Sequence, residues 1–418
     1  MVSSAGPPVS TTQSHGAPAM ARERFVRLLL VPAAVYLAAY LAGLWQVWTS
    51  ASEYLLSPGM PFGGDFINQW AVAKLVLERA FAAIYQPDAL MAFQKGFVGE
   101  DIGLRLWAYP PHSLFFVWPF GLGGFRLMYA LWSVFGLAVL AAGARVFGFS
   151  WKETVLLTLS PAALYCIAGG QTGNAAGGLL LIALARPSGS RSAAAAALLT
   201  VKPQIGFLLA LLWLLDRRWR TILLAGVLAA ALAGASVLVF GMEAWRGYLG
   251  VTLPALSELE RAGEGTFPYV IPSLFMSLRL LGMEGSAAFA VHVVFALAVL
   301  AVLVLALMRV GDRQMQAALV LVATCLVTPY MHFYDLGILL AGMLMALRAS
   351  RGEAMTGLLA ALTIVAWALP VVIVPMGMAG LPLSPLFILA MFAAICVAGW
   401  DTKPSSAGIS GNAVDLRG

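Results

Sequence analysis

Uncharged apolar runs of about 20 residues return from one end of this chain to the other, separated by short polar joints, and that repetition fixes the solvent in which most of it folds. A hydrocarbon core about 30 Å thick takes about 20 helical residues to cross, so each run reads as a membrane-spanning helix. Only 11% of the 418 residues are charged and 61% are hydrophobic. An ordinary soluble domain carries about 25% charge. A transmembrane barrel would need segments of about 10 residues alternating in polarity; these runs are continuous and rich in Leu and Ala, which favour helix. The expected fold is an all-α polytopic membrane protein of about 11 to 12 transmembrane helices.

The formal charge of +6 does not indicate nucleic-acid binding, because the basic residues sit at the ends of apolar runs and form no stripe interleaved with aromatics. They serve better as topology signals. Cys166, Cys325 and Cys396 lie inside apolar segments without the spacing of a metal site or disulfide framework. Residues 1–22, rich in Ser, Pro, Gly and Thr and including His15, are expected to be a disordered cytoplasmic leader, and 403–418 a cytoplasmic tail. Residues 23–402 form a single transmembrane domain.

Arg22, Arg24 and Arg27 precede a span at 28–48, so the positive-inside rule places the next loop, 49–125, outside. Within it, "WAVAKLVLERAFAAIY" (Trp70 to Tyr85) reads as an amphipathic helix on the outer membrane surface. "YPPHSLFFVWPFGLGG" (Tyr109 to Gly124) is apolar but broken by three prolines, and either spans briefly or dips in and returns. Spans then follow at 126–146, 153–168 and 174–186, with a basic joint at Arg186 and Arg191. The segment 193–215 is interrupted by "KPQ" and reads as two half-helices. Further spans at 221–240, 287–308, 315–329, 332–347, 354–374 and 384–400 surround a second outer loop at 241–286.

This arrangement leaves Asp65, His112, Gln171, Asn174, Lys202, Gln204, His332 and Asp335 near the outer face. Ionisable groups at membrane depth are costly and by default mark a pathway or a reaction site. Asp65 follows the flexible pair Gly63–Gly64; it is either a ligand-facing carboxylate or the N-cap of the next helix. In "TPYMHFYDLGIL", His332 and Asp335 are three apart, which on a helix puts them on one face, where Asp335 would raise the imidazole's pKa and keep it protonated. The alternative is an interfacial aromatic cluster with Tyr330 and Tyr334. Lys202 beside Pro203 is either a phosphate-binding cation or a snorkelling side chain. "GGQTGN" suits sugar hydroxyls or a tight loop, and "AYPPH" presents Tyr109 and His112 from a stiff joint. Arg105 and Arg126 are candidate phosphate clamps or ordinary surface charges.

The order of these motifs, with the first-loop Asp65, "YPPH", "GGQTGN", "TVKPQ" followed by "RRW", and "TPYMHFYDL", resembles polytopic glycosyltransferases of the C-type fold. Glycosyltransferase family 87, which includes mycobacterial phosphatidylinositol-mannoside mannosyltransferases, is the most similar, over about residues 55 to 345. The resemblance implies an inverting hexosyltransferase in a bacterial cytoplasmic membrane, with its site facing the periplasm or exterior. It would take a polyprenyl-phosphate-sugar donor, mannose by default, and a lipid or glycan acceptor. Its partners would be these substrates and membrane lipids, with no nucleic acid. By the same resemblance Asp65 and His332 are catalytic, and Lys202, Gln171 and Asn174 match recurrent motif positions read as substrate-binding; the residue reading above adds Gln204, Asp335, His112, Tyr109 and Arg126 as candidate substrate-binding groups. No cofactor or metal is expected, because no tight carboxylate or His/Cys cluster occurs. A transporter or flippase of a lipid-linked sugar is the alternative, although the matching broken repeats common in transporters are not found.

Overall fold

The computed structural model describes residues 16–185, 189–263 and 265–400, with side chains from residue 22 onward. The expectations for His15, for Arg186 and for the 403–418 tail lie outside the described residues. The architecture is all-α. Helix α1 (Gly16–Ser50) begins inside the segment expected to be a leader. A two-stranded hairpin, β1 (Leu55–Ser57) and β2 (Met60–Pro61), follows, then α2 (Phe66–Leu77), α3 (Phe81–Ile84), α4 (Pro87–Val98) and α5 (Leu114–Val117). Next come α6 (Phe125–Phe147), α7 (Trp151–Thr158), α8 (Pro161–Ala168), α9 (Gly173–Ala185), α10 (Ser190–Leu199), α11 (Pro203–Leu215) and α12 (Trp219–Phe240). The second loop carries α13 (Met242–Gly247), α14 (Leu253–Ala262) and α15 (Leu274–Leu280). The chain then continues through α16 (Gly285–Arg309), α17 (Arg313–Val327), α18 (Gly337–Ala349), α19 (Glu353–Met378) and α20 (Ser384–Gly399).

Among the described residues five helices are long and apolar enough to cross a membrane: Arg22–Ser50 of α1, then α6, α12, α16 and α19. Their outward side chains, such as Leu28, Leu223, Leu238 and Val294, are exposed and apolar. That pattern suits hydrocarbon, where an exposed Leu costs nothing and the helix satisfies its own backbone. At the centre, α17 and α18 are buried along nearly their whole length, from Met315 to Val327 and from Ile338 to Leu347. A helix apolar on every side belongs in the middle of a bundle. The turn joining them is inside as well, with Thr328, Met331 and Asp335 buried.

Several expected elements differ in detail. The 70–85 segment is not a surface helix: α2 starts at Phe66, every residue from Phe66 to Ala73 is buried, and Arg79 at φ 57° ends the run. Its charges, Lys74, Glu78 and Arg79, gather at its C-terminal end, beyond the buried run. The amphipathic helix of this loop is α4, which buries Leu90 and Gln94. The 109–124 stretch forms short helical turns over Pro111–Gly121, too short to cross, packed on α2. The span expected at 153–168 divides at Leu159–Ser160, where Ser160 caps α8 and Pro161 takes its first turn. The 193–215 segment breaks at Thr200–Lys202 as its Pro203 implies. Helices α6 and α9 touch backbone to backbone at Gly143 and Gly178, where a Cβ on Gly143 would come within 2.2 Å of the Gly178 oxygen. Small residues let helices approach this closely.

Candidate active site

Two glycine pairs build the site. The Gly63–Gly64 turn crosses the Gly169–Gly170 turn that ends α8, and the Asp65 amide donates to the Gly169 carbonyl at 2.9 Å. Gly64 at φ 57° has no room for a side chain, since a Cβ would lie 2.8 Å from the Gly169 Cα. Gly170 at φ 61° is tighter still, 2.4 Å from the Phe66 nitrogen. Left-handed backbone and close approach both select glycine. The residue after each pair is thereby set beside the other, and Gln171 Nε2 donates to Asp65 Oδ2 at 2.6 Å.

Asp65 precedes α2 but its side chain makes no capping bond. Its other oxygen, Oδ1, pairs with Arg105 Nη1. The carboxylate stays 47% exposed while held at both oxygens. The N-cap alternative therefore does not explain it.

A second charged pair lies alongside. Where α10 and α11 separate, Lys202 Nζ meets both oxygens of Asp335 at 2.7 and 2.8 Å and sits 5.3 Å from the centre of the Tyr334 ring. Both side chains are buried, at 8% and 2% exposure. Burial opposes charge on the lysine, but the Asp335 carboxylate outweighs it and holds the amine above its ordinary pKa. Gly173, at the start of α9, leaves the space that the carboxylate fills; a Cβ there would be 2.5 Å from Oδ1. The helix N-terminus adds favourable field.

The late motif is not a helix entry. Helix α18 begins only at Gly337; His332 is extended at φ −84° and ψ 153°, and Phe333–Asp335 is a 3-10 turn. Asp335 is thus committed to Lys202 and does not share a helix face with His332. The imidazole is half-buried, stacked on Tyr334 with centroids 4.9 Å apart and edge-on to Phe267 at 5.6 Å. Burial pushes its pKa below the ordinary value, against the opposing pull of Asp335, so the ring is neutral at pH 7 and not protonated as the sequence suggests. Asp335, Lys202 and Asp65 all act on this ring, and all three act on Tyr109. The first-loop carboxylate, the lysine and the late histidine therefore share one neighbourhood.

Tyr109 joins the two halves through its hydroxyl, 2.9 Å from Thr172 Oγ1. His112 Nε2 lies 3.1 Å from Thr200 Oγ1, bracing the α10 end beside Lys202. Other candidates have structural contacts. Arg126 donates to the carbonyls of Trp48, Ala51 and Ser52 at 2.9, 2.7 and 2.8 Å and lies over the Trp48 and Phe62 rings, so it locks the end of α1. Asn174 donates to the Ala163 carbonyl at 3.0 Å and ties α9 to α8, with Cys166 Sγ accepting from its amide at 3.2 Å. Gln204 is exposed at the start of α11, where its carbonyl accepts from Thr328 Oγ1 at 3.4 Å. Among the described residues no three His, Cys, Asp or Glu side chains gather as a metal site would.

An apolar cavity of about 320 Å³ adjoins these groups. Trp132, Phe135, Leu179 and Leu198 form part of its wall, and Gln69, Tyr109, Ser113, Thr172 and Lys202 are polar residues that also line it. Thr172 carries no sequence signal beyond its place in "GGQTGN". Arg105 reads from sequence as a candidate phosphate clamp or a surface charge, but its pairing with Asp65 is not legible there, because the two are 40 residues apart.

Over residues 107–329, more than half of the chain, the sequence matches the profile of glycosyltransferase family 87. That stretch contains Tyr109, Gln171 and Lys202, begins after Asp65 and ends before His332. No curated protein and no solved structure matches the chain.

Proposed function

The chain belongs to glycosyltransferase family 87, and from that premise we propose that it moves a hexose, by default mannose, from a polyprenyl-phosphate donor to a lipid or glycan acceptor. A membrane glycosyltransferase needs a donor it can hold at the bilayer. The observation that carries the donor class is the apolar cavity lined in part by Lys202, Tyr109 and Thr172, the last of these next to Gln171, which bonds to Asp65. An amphiphile with a long hydrocarbon tail and an ionic head is the ligand such a shape fits.

In a single displacement the acceptor hydroxyl oxygen attacks the anomeric carbon, the bond from that carbon to the phosphate oxygen breaks, and the electron pair leaves with the polyprenyl phosphate. The configuration inverts. Asp65 takes the hydroxyl proton: each of its oxygens already receives one donor, and an ionised carboxylate has about four acceptor positions, so two remain. General-base help is typically worth about 10² to 10⁴ in rate, or roughly 3 to 5 kcal/mol. Charge growing on the departing phosphate is met by Lys202 and Arg105, each already oriented by a carboxylate. Arg126 is excluded from that role by its three carbonyls, and His332, neutral, would orient substrate by hydrogen bonding.

Outer-face action is supported by the distribution of charge. Helix α6 starts beside the site at Phe125 and ends beside Gly148, whose carbonyl accepts from Arg348, near the Lys152–Glu23 pair. At 23 residues α6 is about 34 Å long. The site therefore lies about one bilayer away from that basic end, which the positive-inside rule assigns to the cytoplasm.

The test uses purified protein in liposomes containing polyprenyl-phosphate mannose and membrane lipid acceptors. Sugar should pass to an acceptor, and Asp65→Asn should lower that transfer at least about 10²-fold while leaving donor binding intact. Transfer from a nucleotide sugar but from no polyprenyl-phosphate hexose would overturn the donor assignment. Wild-type turnover by Asp65→Asn would remove the carboxylate from its role.

A further inference from the structure

Gln69 lies four residues after Asp65, in the first turn of α2, where its backbone amide donates to the Asp65 carbonyl at 3.3 Å. It is 2% exposed and borders the apolar cavity. Its amide nitrogen lies 3.5 Å from the Gly170 carbonyl, which also accepts from Trp132 Nε1 at 3.0 Å. That neighbour identifies the atom facing it as the amide nitrogen, since an oxygen would not face a carbonyl. Its Oε1 is then a buried acceptor without a partner. Such groups are costly and uncommon, and each one in a folded protein calls for an explanation. Ser113 Oγ and Trp107 Nε1 also border this cavity without a full bond, but both interact with the Tyr85 hydroxyl. Among the described residues Gln69 Oε1 has no such neighbour.

We propose that Gln69 is a donor-recognition residue whose Oε1 accepts a hydrogen bond from a ring hydroxyl of the sugar being transferred; this rests on the polyprenyl-phosphate-hexose reading above. The placement follows from the reaction geometry. With the anomeric carbon near Asp65 and the lipid tail in the cavity, the hexose ring lies along α2. A pyranose with its hydroxyls is comparable in width to one helical turn, about 5.4 Å. The group one turn beyond the base is Gln69. The terminal amide torsion is soft, so Oε1 turns toward the ligand without moving the helix. A site that leaves an acceptor unpaired also rejects a donor lacking the matching hydroxyl.

The experiment first identifies the polyprenyl-phosphate hexose that the wild-type protein uses, from mannose, glucose and galactose forms, then compares it with its monodeoxy analogues. Wild-type kcat/KM should fall about 10- to 100-fold for one deoxy position, the value of one buried hydrogen bond. Gln69→Leu should lose a similar factor on the intact donor and become indifferent to that deletion. Gln69→Glu, which keeps an acceptor oxygen, should still discriminate. The deoxy-donor comparisons are ratios within one variant, so a loss of folded protein cancels in them. If Gln69→Leu discriminates among the deoxy donors as the wild type does, the assignment is wrong. Turnover of none of the three hexoses by the wild type instead brings down the donor reading and this inference with it.

Discussion

Lys202 and Asp335, 133 positions apart in sequence, close a two-pronged ion pair inside the protein. The pair joins the break between α10 and α11 to the turn between α17 and α18, so it is both a structural tie and part of the site. These roles separate by mutation. Lys202→Met alone strands a buried carboxylate and should destabilise the protein by about 3 to 5 kcal/mol. Lys202→Met combined with Asp335→Leu removes both charges and should recover most of that loss, yet transfer should stay abolished. Unfolding in detergent and transfer rate, measured on the same samples, check this. Recovered activity in the double variant would leave the lysine with no task beyond holding the fold.

His332 predicts a pH dependence of stability. Its folded pKa is lowered by burial, despite the opposing pull of the Asp335 and Asp65 carboxylates, while Lys202 adds to the lowering. A group whose neutral form is favoured by folding binds fewer protons folded than unfolded, so its contribution is intact above the ordinary value of about 6.5 and fades as pH falls through the folded value. The stability difference between wild type and His332→Gln should therefore narrow between pH 7 and pH 5. A widening gap would mean that the ring is protonated in the fold. His332→Gln should also retain more transfer at pH 7 than His332→Lys, because the native ring is uncharged.

How much of this was legible in the sequence depends on the range of the interaction. The all-α membrane fold follows from composition and run length, which are local properties. The two half-helices around Lys202 follow from Pro203. Pairing was not legible: Asp335 sits three residues from His332 and invites that partnership, but the chain turns through a 3-10 segment and gives the carboxylate to Lys202. The 70–85 stretch has apolar residues at helical spacing with charges on the other face, but every residue of α2 from Phe66 to Ala73 is buried, and that burial comes from packing the sequence pattern does not show. Arg105 is legible as a candidate phosphate clamp, but nothing local says that Asp65 is its partner. Gln69 left a faint signal, its spacing of four from Asp65.

Arg126 should behave as a structural residue. It donates to three carbonyls at the end of α1 and lies against two aromatic rings, and no group of the site touches it. Arg126→Ala leaves those carbonyls to find other partners and should cost about 1 to 3 kcal/mol of stability. The KM for the donor should stay within about twofold of wild type, less than the roughly 0.6 kcal/mol of thermal energy. A large rise in KM with unchanged stability would return Arg126 to the substrate site.

Gly170 tests whether the crossed glycine turns set the active geometry. Alanine at a left-handed position costs about 1 to 2 kcal/mol from backbone alone. Gly99, at φ 87° with open space where a Cβ would go, isolates that term. At Gly170 the added carbon would also press on the Phe66 nitrogen and the Gly63 oxygen, at 2.4 and 2.6 Å, both of them backbone atoms that cannot rotate away. The strands of the crossing must then part, and Gln171 moves relative to Asp65. Displacement of a reacting group by about 1 Å can cost about 10²-fold in rate. Gly170→Ala should accordingly lose about that much transfer and unfold more readily than Gly99→Ala, which should keep near wild-type turnover. Equal behaviour of the two variants would mean that the Asp65–Gln171 contact does not depend on the close approach of the two turns.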